Sequence, residues 1–223
     1  MSDIKLGALF YPKHDGTREI PFDSLFIPYI YREIYFEGLY VDVLNEKKDL
    51  VIMDVGSNIG VTVQHFREHA KKVYAIEPLS THYEALVKNK EFNDWDNVET
   101  FKMAIAGKDG EVTMHPLANN MTCTSYANDW GQGGETVKAQ TFETFMKENK
   151  IDHIDFVKFD VEGAEDDILF SPGFENIADK IDALEVEFHK ADWMKHVSHM
   201  EKLGFTARRY ESSAIVVMFV KNK

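Results

Sequence analysis

Cysteine is nearly missing from this 223-residue chain: Cys123 stands alone, so no internal disulfide can form. That suits a reducing compartment. No basic neighbour would depress its thiol pKa, so Cys123 reads as an incidental small residue rather than a nucleophile. Cations are also scarce. Lys and Arg number 25 against 38 Asp and Glu, a formal net charge of -13. Gripping a nucleic-acid backbone needs clustered cations, so no nucleic-acid partner is expected. No apolar run approaches the roughly 18 residues of a membrane span. The start, Met1-Ser-Asp-Ile-Lys-Leu6, lacks the basic-then-apolar form of a secretion signal. Together these absences predict a cytoplasmic protein with no membrane span. They leave the oligomeric state open.

What is present is a core and a rhythm. Hydrophobic residues make up 44% of the chain, enough to fill one large α/β domain. From Leu50 onward, short apolar runs alternate with amphipathic stretches. Strands are expected from Leu50 to Asp54 and over 73–76, 98–105, 111–115, 155–160, 181–189, 205–211 and 214–220. Helices are expected over 80–91, with Ser80 as the cap, and over 141–149, 163–170 and 190–203. Residues 119–134 are polar and Gly-rich, a loop or excursion. Strands alternating with helices imply a mostly parallel sheet covered on both faces. The last two strands, joined at Ser212-Ser213, can form an antiparallel hairpin. Residues 1–49 are expected to be a cap segment of the same domain, helical in part over the aromatic-rich stretch 22–40.

The most informative stretch is Leu50-Val-Ile-Met-Asp54-Val-Gly56-Ser57-Asn58-Ile-Gly60. A buried strand delivers a carboxylate and a glycine-punctuated turn to the carboxyl edge of the sheet. In open α/β folds that edge binds nucleotide-like ligands. Other strands end in Glu77, in Asp160, and in Glu187 with His189. A single acid at a strand end meets solvent as a matter of course, but the set would converge on one crevice. A dinucleotide fingerprint wants glycine where this chain has Asn58, so that backbone can approach a pyrophosphate. The turn still offers amide N–H groups at a helix N-terminus, where a carboxylate is favoured, and Asn58 can cap that helix. Glu77 follows Asp54 at about the 20-residue spacing of the acid that binds ribose hydroxyls. A ligand with a ribose and a carboxylate but no phosphate is S-adenosylmethionine. An NAD-linked oxidoreductase is the enzyme alternative, disfavoured by Asn58. A non-catalytic cofactor-binding module of the same fold is the other.

Asp54-Val-Gly-Ser-Asn-Ile-Gly60, Ile76-Glu-Pro78, Asp155-Phe-Val-Lys-Phe-Asp-Val-Glu-Gly-Ala-Glu165 and Glu187-Phe-His189 together resemble the FkbM family of class I S-adenosylmethionine-dependent methyltransferases. The resemblance covers roughly residues 30–210, and the string from Lys158 to Glu165 is its most specific part. It implies a Rossmann-like, mostly parallel seven-stranded sheet with helices on both faces and an antiparallel C-terminal strand, with residues 50–223 as the methyltransferase domain. It implies O-methylation of a hydroxyl on a sugar, glycan, lipid or small metabolite. Carried onto this chain, Gly56, Ser57, Asn58 and Gly60 would line the methionine portion of the cofactor. Asp54 would orient that turn or the cofactor amine, and Glu77, followed by Pro78, would hold the ribose hydroxyls. Ala104 sits where the adenine is flanked. Many relatives place an acid there, and this chain does not.

Methyl transfer from a sulfonium needs an aligned nucleophile more than covalent catalysis. An alcohol acceptor also loses a proton, so a base or a metal helps. Lys158, Asp160 and Glu162 alternate and share a face if the strand persists that far. Glu187 and His189 share one likewise. Asp160 is expected to border the cofactor, and Glu162, Glu187 and His189 the acceptor. His189 is the preferred general base, because its ordinary pKa is near neutral. The plainer reading of it is a hydrogen-bonded histidine at a strand end. Lys158 reads as a structural cation among the acids or, with its pKa lowered by burial, as a base. Glu165 reads as a helix-face residue. Asp160, Glu162, Glu187 and His189 can also hold a hard divalent ion such as magnesium, but no compact metal motif favours one. Tyr126 and Trp130 can stack on an acceptor ring. Tyr29, Tyr31, Tyr35, Phe36 and Tyr40 suggest a buried cap, from which Glu33 and Tyr40 reach toward the methionine end.

Overall fold

A computed structural model describes residues 9–13, 16–20, 40, 44, 47–116, 123–124, 134–189, 192–210 and 215–222. Two short strands come first, β1 (Leu9–Lys13) and β2 (Gly16–Ile20), paired antiparallel. Strand β3 (Leu50–Val55) then leads through a tight turn into helix α1 (Val61–Phe66). Strand β4 (Ala70–Ile76), helix α2 (Ser80–Phe92) and strand β5 (Val98–Phe101) follow. Next comes an arm of four strands: β6 (Ala104–Ile105), β7 (Gly110–Pro116), β8 (Cys123–Thr124) and β9 (Glu135–Gln140). The chain returns through helix α3 (Phe142–Glu148) to β10 (Ile154–Phe159), then α4 (Glu165–Leu169), α5 (Pro172–Glu175) and β11 (Ile181–Phe188). Helix α6 (Trp193–Lys202) and strands β12 (Phe205–Arg209) and β13 (Ile215–Lys221) close it.

The main sheet has seven strands in the order β12-β13-β11-β10-β3-β4-β5, and the arm forms a separate sheet in the order β6-β9-β7-β8. Strands β11, β10, β3, β4 and β5 pair in parallel, while β13 runs antiparallel to both β11 and β12. The parallel strands are apolar on both sides, because helices cover both faces. Successive residues point to opposite faces. Met53, Val157 and Leu184 enter one core with Phe142, Phe145 and Phe174. Their neighbours Ile52, Phe156 and Ala183 enter the other with Phe66, Leu86 and Trp95. Tyr40 joins that second core, edge-on to Phe66 with ring centroids 4.8 Å apart.

The structure corrects several sequence expectations. The run 98–105 is not one strand. Strand β5 ends at Phe101, and Ala104 turns off to pair with Ala139 of β9. Strand β9 itself went unforeseen, although Val137 and Ala139 point inward and Thr136 and Lys138 outward. Ser80 is the first helical residue of α2 rather than its cap. Its hydroxyl and amide both donate to Glu135 of the arm. Thr141 does cap α3, its hydroxyl accepting the Thr144 amide at 3.1 Å. The segment 22–39, with Tyr29, Tyr31, Glu33, Tyr35 and Phe36, lies outside the described residues, as do Tyr126, Trp130 and Ser212-Ser213. Among the described residues no helix is long and apolar enough to cross a membrane.

Candidate active site

The carboxyl ends of β3, β4, β10 and β11 meet along one edge. Gly56, just beyond β3, has a left-handed backbone (φ 83°). A Cβ there would lie 1.9 Å from the carbonyl oxygen of Asp160. Only glycine lets the β3 turn cross the β10 tip so closely. Gly60 is also left-handed (φ 93°) and takes the N-cap position of α1. Asn58 is therefore not the cap, and its Oδ1 accepts the Ile59 amide at 2.8 Å instead. The Gly56 and Ser57 amides both donate to the Ile76 carbonyl at 3.0 Å, and the Gly60 amide donates to the Ser57 carbonyl at 2.9 Å. The Asn58 amide donates to Glu77 Oε2 at 2.9 Å. Every amide from Gly56 to Gly60 is thus committed within the protein. The places of the missing Cβ atoms are filled from within, by the Asp160 carbonyl at Gly56 and by Leu86 and Trp95 at Gly60, so these glycines serve the close packing of the turn.

Glu77 is locked in place. Its Oε1 accepts the Leu79 amide at 2.9 Å while Oε2 holds Asn58, and the residue is buried. Each oxygen keeps a second lone pair for a donor such as a hydroxyl. Asp54 is buried behind the turn. Its Oδ2 accepts the Thr62 hydroxyl at 2.5 Å, and its carbonyl accepts the Ser57 hydroxyl at 2.8 Å. Burial pushes the Asp54 carboxyl up, and Lys158 and Thr62 only partly offset it. Pro78 is buried at the same turn, and Ala104 packs with Leu79, Met114 and Val137. The arm is thereby joined to the turn beyond β4.

Lys158 stands in register between Asp54 and Glu185. Its Nζ donates to the Gly56 carbonyl at 3.0 Å and to Asp160 Oδ2 at 3.3 Å, with Asp54 Oδ1 at 3.7 Å. Burial alone would favour the neutral amine, but Asp160 and Asp54 outweigh it and raise the Lys158 pKa above its ordinary value. Lys158 is therefore a fixed cation tying the β3 turn to the β10 tip, and the reading of it as a base with a lowered pKa fails. Burial pushes the Glu185 carboxyl well up, and the Tyr40 hydroxyl hydrogen-bonds to it. Tyr40 is thus a core residue with an internal partner.

The other half of the edge is assembled around His189. Strand β10 stops at Phe159, so Glu162 is not placed by strand alternation. It arrives through a turn in which Glu162 itself is left-handed (φ 54°), a conformation costing a non-glycine residue about 1 kcal/mol or more. His189 Nε2 lies 3.4 Å from Glu162, 3.6 Å from Glu187 and 3.8 Å from Asp160. On the far side of the ring, Nδ1 lies 3.1 Å from Oε1 of the fully buried Glu165. Burial alone would lower the His189 pKa. The Glu165 hydrogen bond and the Asp160, Glu162 and Glu187 carboxylates reverse that and raise it to about 9. His189 is thus an imidazolium near neutrality, which corrects the expectation of a free imidazole base. Burial, reinforced by Asp160, pushes the Glu162 carboxyl up to about 7. Asp160, Glu162 and His189 also bring three atoms of metal-binding kinds within 4.8 Å of one another. The imidazolium already supplies a cation among them.

All the sequence-selected acids of the strand tips meet at this edge, with His189. Two contributors were missed. Thr62 had no motif to mark it. Glu165, in the first turn of α4, is not a surface helix-face residue but is buried against His189, and its signal is its place three residues beyond Glu162.

The methyltransferase FkbM domain model matches residues 54–211. Among solved structures the chain is similar to a protein from Streptococcus mutans described as a methyltransferase and solved in complex with SAH. The two are 15% identical, with a TM-score of 0.53 over 83% of this chain and 97% of that one. It is similar to a precorrin 8W decarboxylase from Methanobacterium thermoautotrophicum, 15% identical, with a TM-score of 0.52 over 96% and 97%. It is also similar to an rRNA methylase from Streptococcus thermophilus, 14% identical, with a TM-score of 0.51 over 85% and 96%. At such identities the likeness is one of fold. No match is found among curated proteins. The family match spans the glycine turn, Glu77, the Lys158–Glu165 string and His189, so the chain belongs to the FkbM methyltransferase domain family, with S-adenosylmethionine as its methyl donor.

Proposed function

We propose that the chain is a cytoplasmic O-methyltransferase acting on a hydroxyl of a sugar, glycan, lipid or small metabolite, and not on nucleic acid. The observation that carries this reading is Glu162, a carboxyl pushed to about 7 beside a fixed imidazolium, on the edge that holds the glycine turn. A group titrating near neutrality can take a proton in one state and release it in the next. Bound S-adenosylmethionine would supply a methyl group on a sulfonium, so that transfer breaks a carbon–sulfur bond and forms a carbon–oxygen bond. Glu162 accepts the hydroxyl proton. His189 stabilises the carboxylate that takes it up, and Glu187 borders the acceptor with them.

The opposite half holds the cofactor. Glu77, with its spare lone pairs, takes the ribose hydroxyls. Gly56, Ser57, Asn58 and Gly60 line the methionine end, backed by Asp54. Pro78 and Ala104 flank the adenine, and Asp160 stands between donor and acceptor. The fit is supported by Glu77, whose two oxygens are held by the Asn58 and Leu79 amides and keep lone pairs for a ligand's hydroxyls. Residues 1–49 complete the same domain as a cap.

Calorimetry with S-adenosylmethionine, its demethylated product and NAD tests the cofactor. Binding of NAD alone would sink the reading. Transfer of labelled methyl to a panel of hydroxyl, amine and carbon acceptors, with products read by NMR, tests the rest. An O-methyl resonance is expected, and N- or C-methyl products alone would overturn O-methylation.

A further inference from the structure

We propose that Glu165 is a positioning residue of the acceptor half: its buried carboxylate holds the His189 ring by Nδ1, so that Nε2 faces Asp160, Glu162 and Glu187. The role of Glu162 as proton acceptor rests on the function proposed above, whereas the placement of the ring does not. Glu165 is fully buried in the first turn of α4. One oxygen, Oε1, takes two donors, the Gly163 amide at 3.0 Å and His189 Nδ1 at 3.1 Å. Gly163 adjoins the left-handed Glu162. A single carboxylate oxygen therefore ties the turn that carries Glu162 to the tip of β11 that carries His189. Oε2 has no hydrogen-bond partner among the described residues. A buried carboxylate costs several kcal/mol unless it is paired, and the cation it touches is His189.

This arrangement sets the direction of the ring. With Nδ1 donating to Glu165, the second N–H can only point toward the carboxylates at the edge, and the nearest is Glu162 at 3.4 Å. Four carboxylates facing the ring add to the effect, Asp160 from the β10 tip, Glu162 from the turn, Glu165 from α4 and Glu187 from β11, while the Lys158 cation behind Asp160 opposes them. His189 in turn pulls the Glu162 carboxyl down against burial and Asp160. Glu165 thereby acts on Glu162 without touching it. Hydrogen-bonding a histidine by one nitrogen to fix the role of the other is a general device.

The test reads the ring directly and needs no acceptor. In cofactor-free protein with 15N-labelled histidine, the His189 signals are those lost in His189→Asn. In the wild type, both ring nitrogens should stay protonated well above pH 7. In Glu165→Gln, the His189 midpoint should fall by at least about one pH unit. Equal midpoints in the two proteins would overturn the proposal. If Glu165→Gln does not fold, the wild type decides alone, and a His189 midpoint at or below the ordinary value of about 6.5 overturns it. Kinetics separate the two readings. Glu165→Gln should move the acid limb of kcat/KM upward while affinity for S-adenosylmethionine stays within about twofold. A lowered His189 midpoint with an unmoved acid limb supports the placement of the ring and removes Glu162 as the proton acceptor.

Discussion

The two halves of the functional edge are built by opposite means. Between β3 and β4 the amides of Gly56 to Gly60 all have partners, Glu77 is buried between two of its own backbone donors, and Asp54 is hidden behind the turn. Between β10 and β11 the side chains of Glu162 and His189 stay 22% and 24% exposed. The carboxyl there is pushed up to about 7 and the imidazole to about 9. On the proposed function the first half is ordered without its ligand, so little ordering is left to oppose binding. The second holds its charges in a balance that one proton can tip, which is the property expected where protons move. On the proposed function, binding and reactivity are separated along one sheet edge, and Lys158 and Gly56 join the two halves.

Breaking that joint should have the largest effect. Gly56→Ala puts a methyl group into the Asp160 carbonyl on a left-handed backbone, at a cost of about 3 kcal/mol or more. Urea unfolding and cofactor calorimetry should show both halves failing together. A variant as stable as the wild type would show that the halves do not depend on this crossing.

Glu162→Gln should damage only the reacting half, lowering kcat by about a hundredfold to ten-thousandfold with cofactor affinity kept within about twofold. In the wild type, kcat/KM should rise with pH through about 7, because the base must be ionised. The same substitution has a stability signature. The folded Glu162 carboxyl titrates above its unfolded value, so the folded state holds an extra proton between 4.5 and about 7. Stability therefore falls as pH rises through that window. Glutamine has no proton to lose, so the variant should gain roughly 1–2 kcal/mol at pH 8 after solvent screening, and nothing at pH 4. Urea midpoints at the two pH values check the sign, and a loss at pH 8 would refute it.

Glu77→Ala should damage only the binding half. Cofactor affinity should fall by about tenfold to a hundredfold, the worth of charge-assisted hydrogen bonds, while turnover at saturating cofactor survives. Affinity equal to wild type would remove Glu77 from the ribose site. The smallest effect is expected from chelation. Rigorously stripped enzyme should keep its turnover within about twofold, since an imidazolium already occupies the centre of the carboxylates. A large loss restored by magnesium would mean that the reacting half runs on a metal cation instead.

The parallel sheet was legible because the runs at Leu50–Met53 and Val73–Ile76 are apolar on both faces, Phe156–Phe159 is broken only by Lys158, and each run is followed by an acid. The convergence of Asp54, Glu77, Asp160 and Glu187 followed from strand direction alone. What stayed hidden depended on contacts distant in sequence. Strand β9 carries an alternating pattern, but its partner β7 lies across a polar segment. Ser80 resembles a helix cap until Glu135 arrives from the arm. His189 and Glu165 are 24 residues apart, and neither the ring's fixed direction nor its raised pKa can be inferred without that pair. Gly56 marked a turn, yet nothing in the sequence said that Asp160 would lie against it.

The arm leaves the main fold beside the point where it rejoins. Ala104 pairs with Ala139, Ile105 with Gln140, and the Ala106 amide donates to the Gln140 carbonyl at 2.8 Å. A segment whose two ends are pinned together can grow, shrink or be replaced at little cost, about 0.6 kcal/mol for each doubling of loop length. Inheritance can therefore lengthen or shorten the stretch between β7 and β9 while Met114, Glu135 and Val137 keep the arm on Leu79 and Ser80.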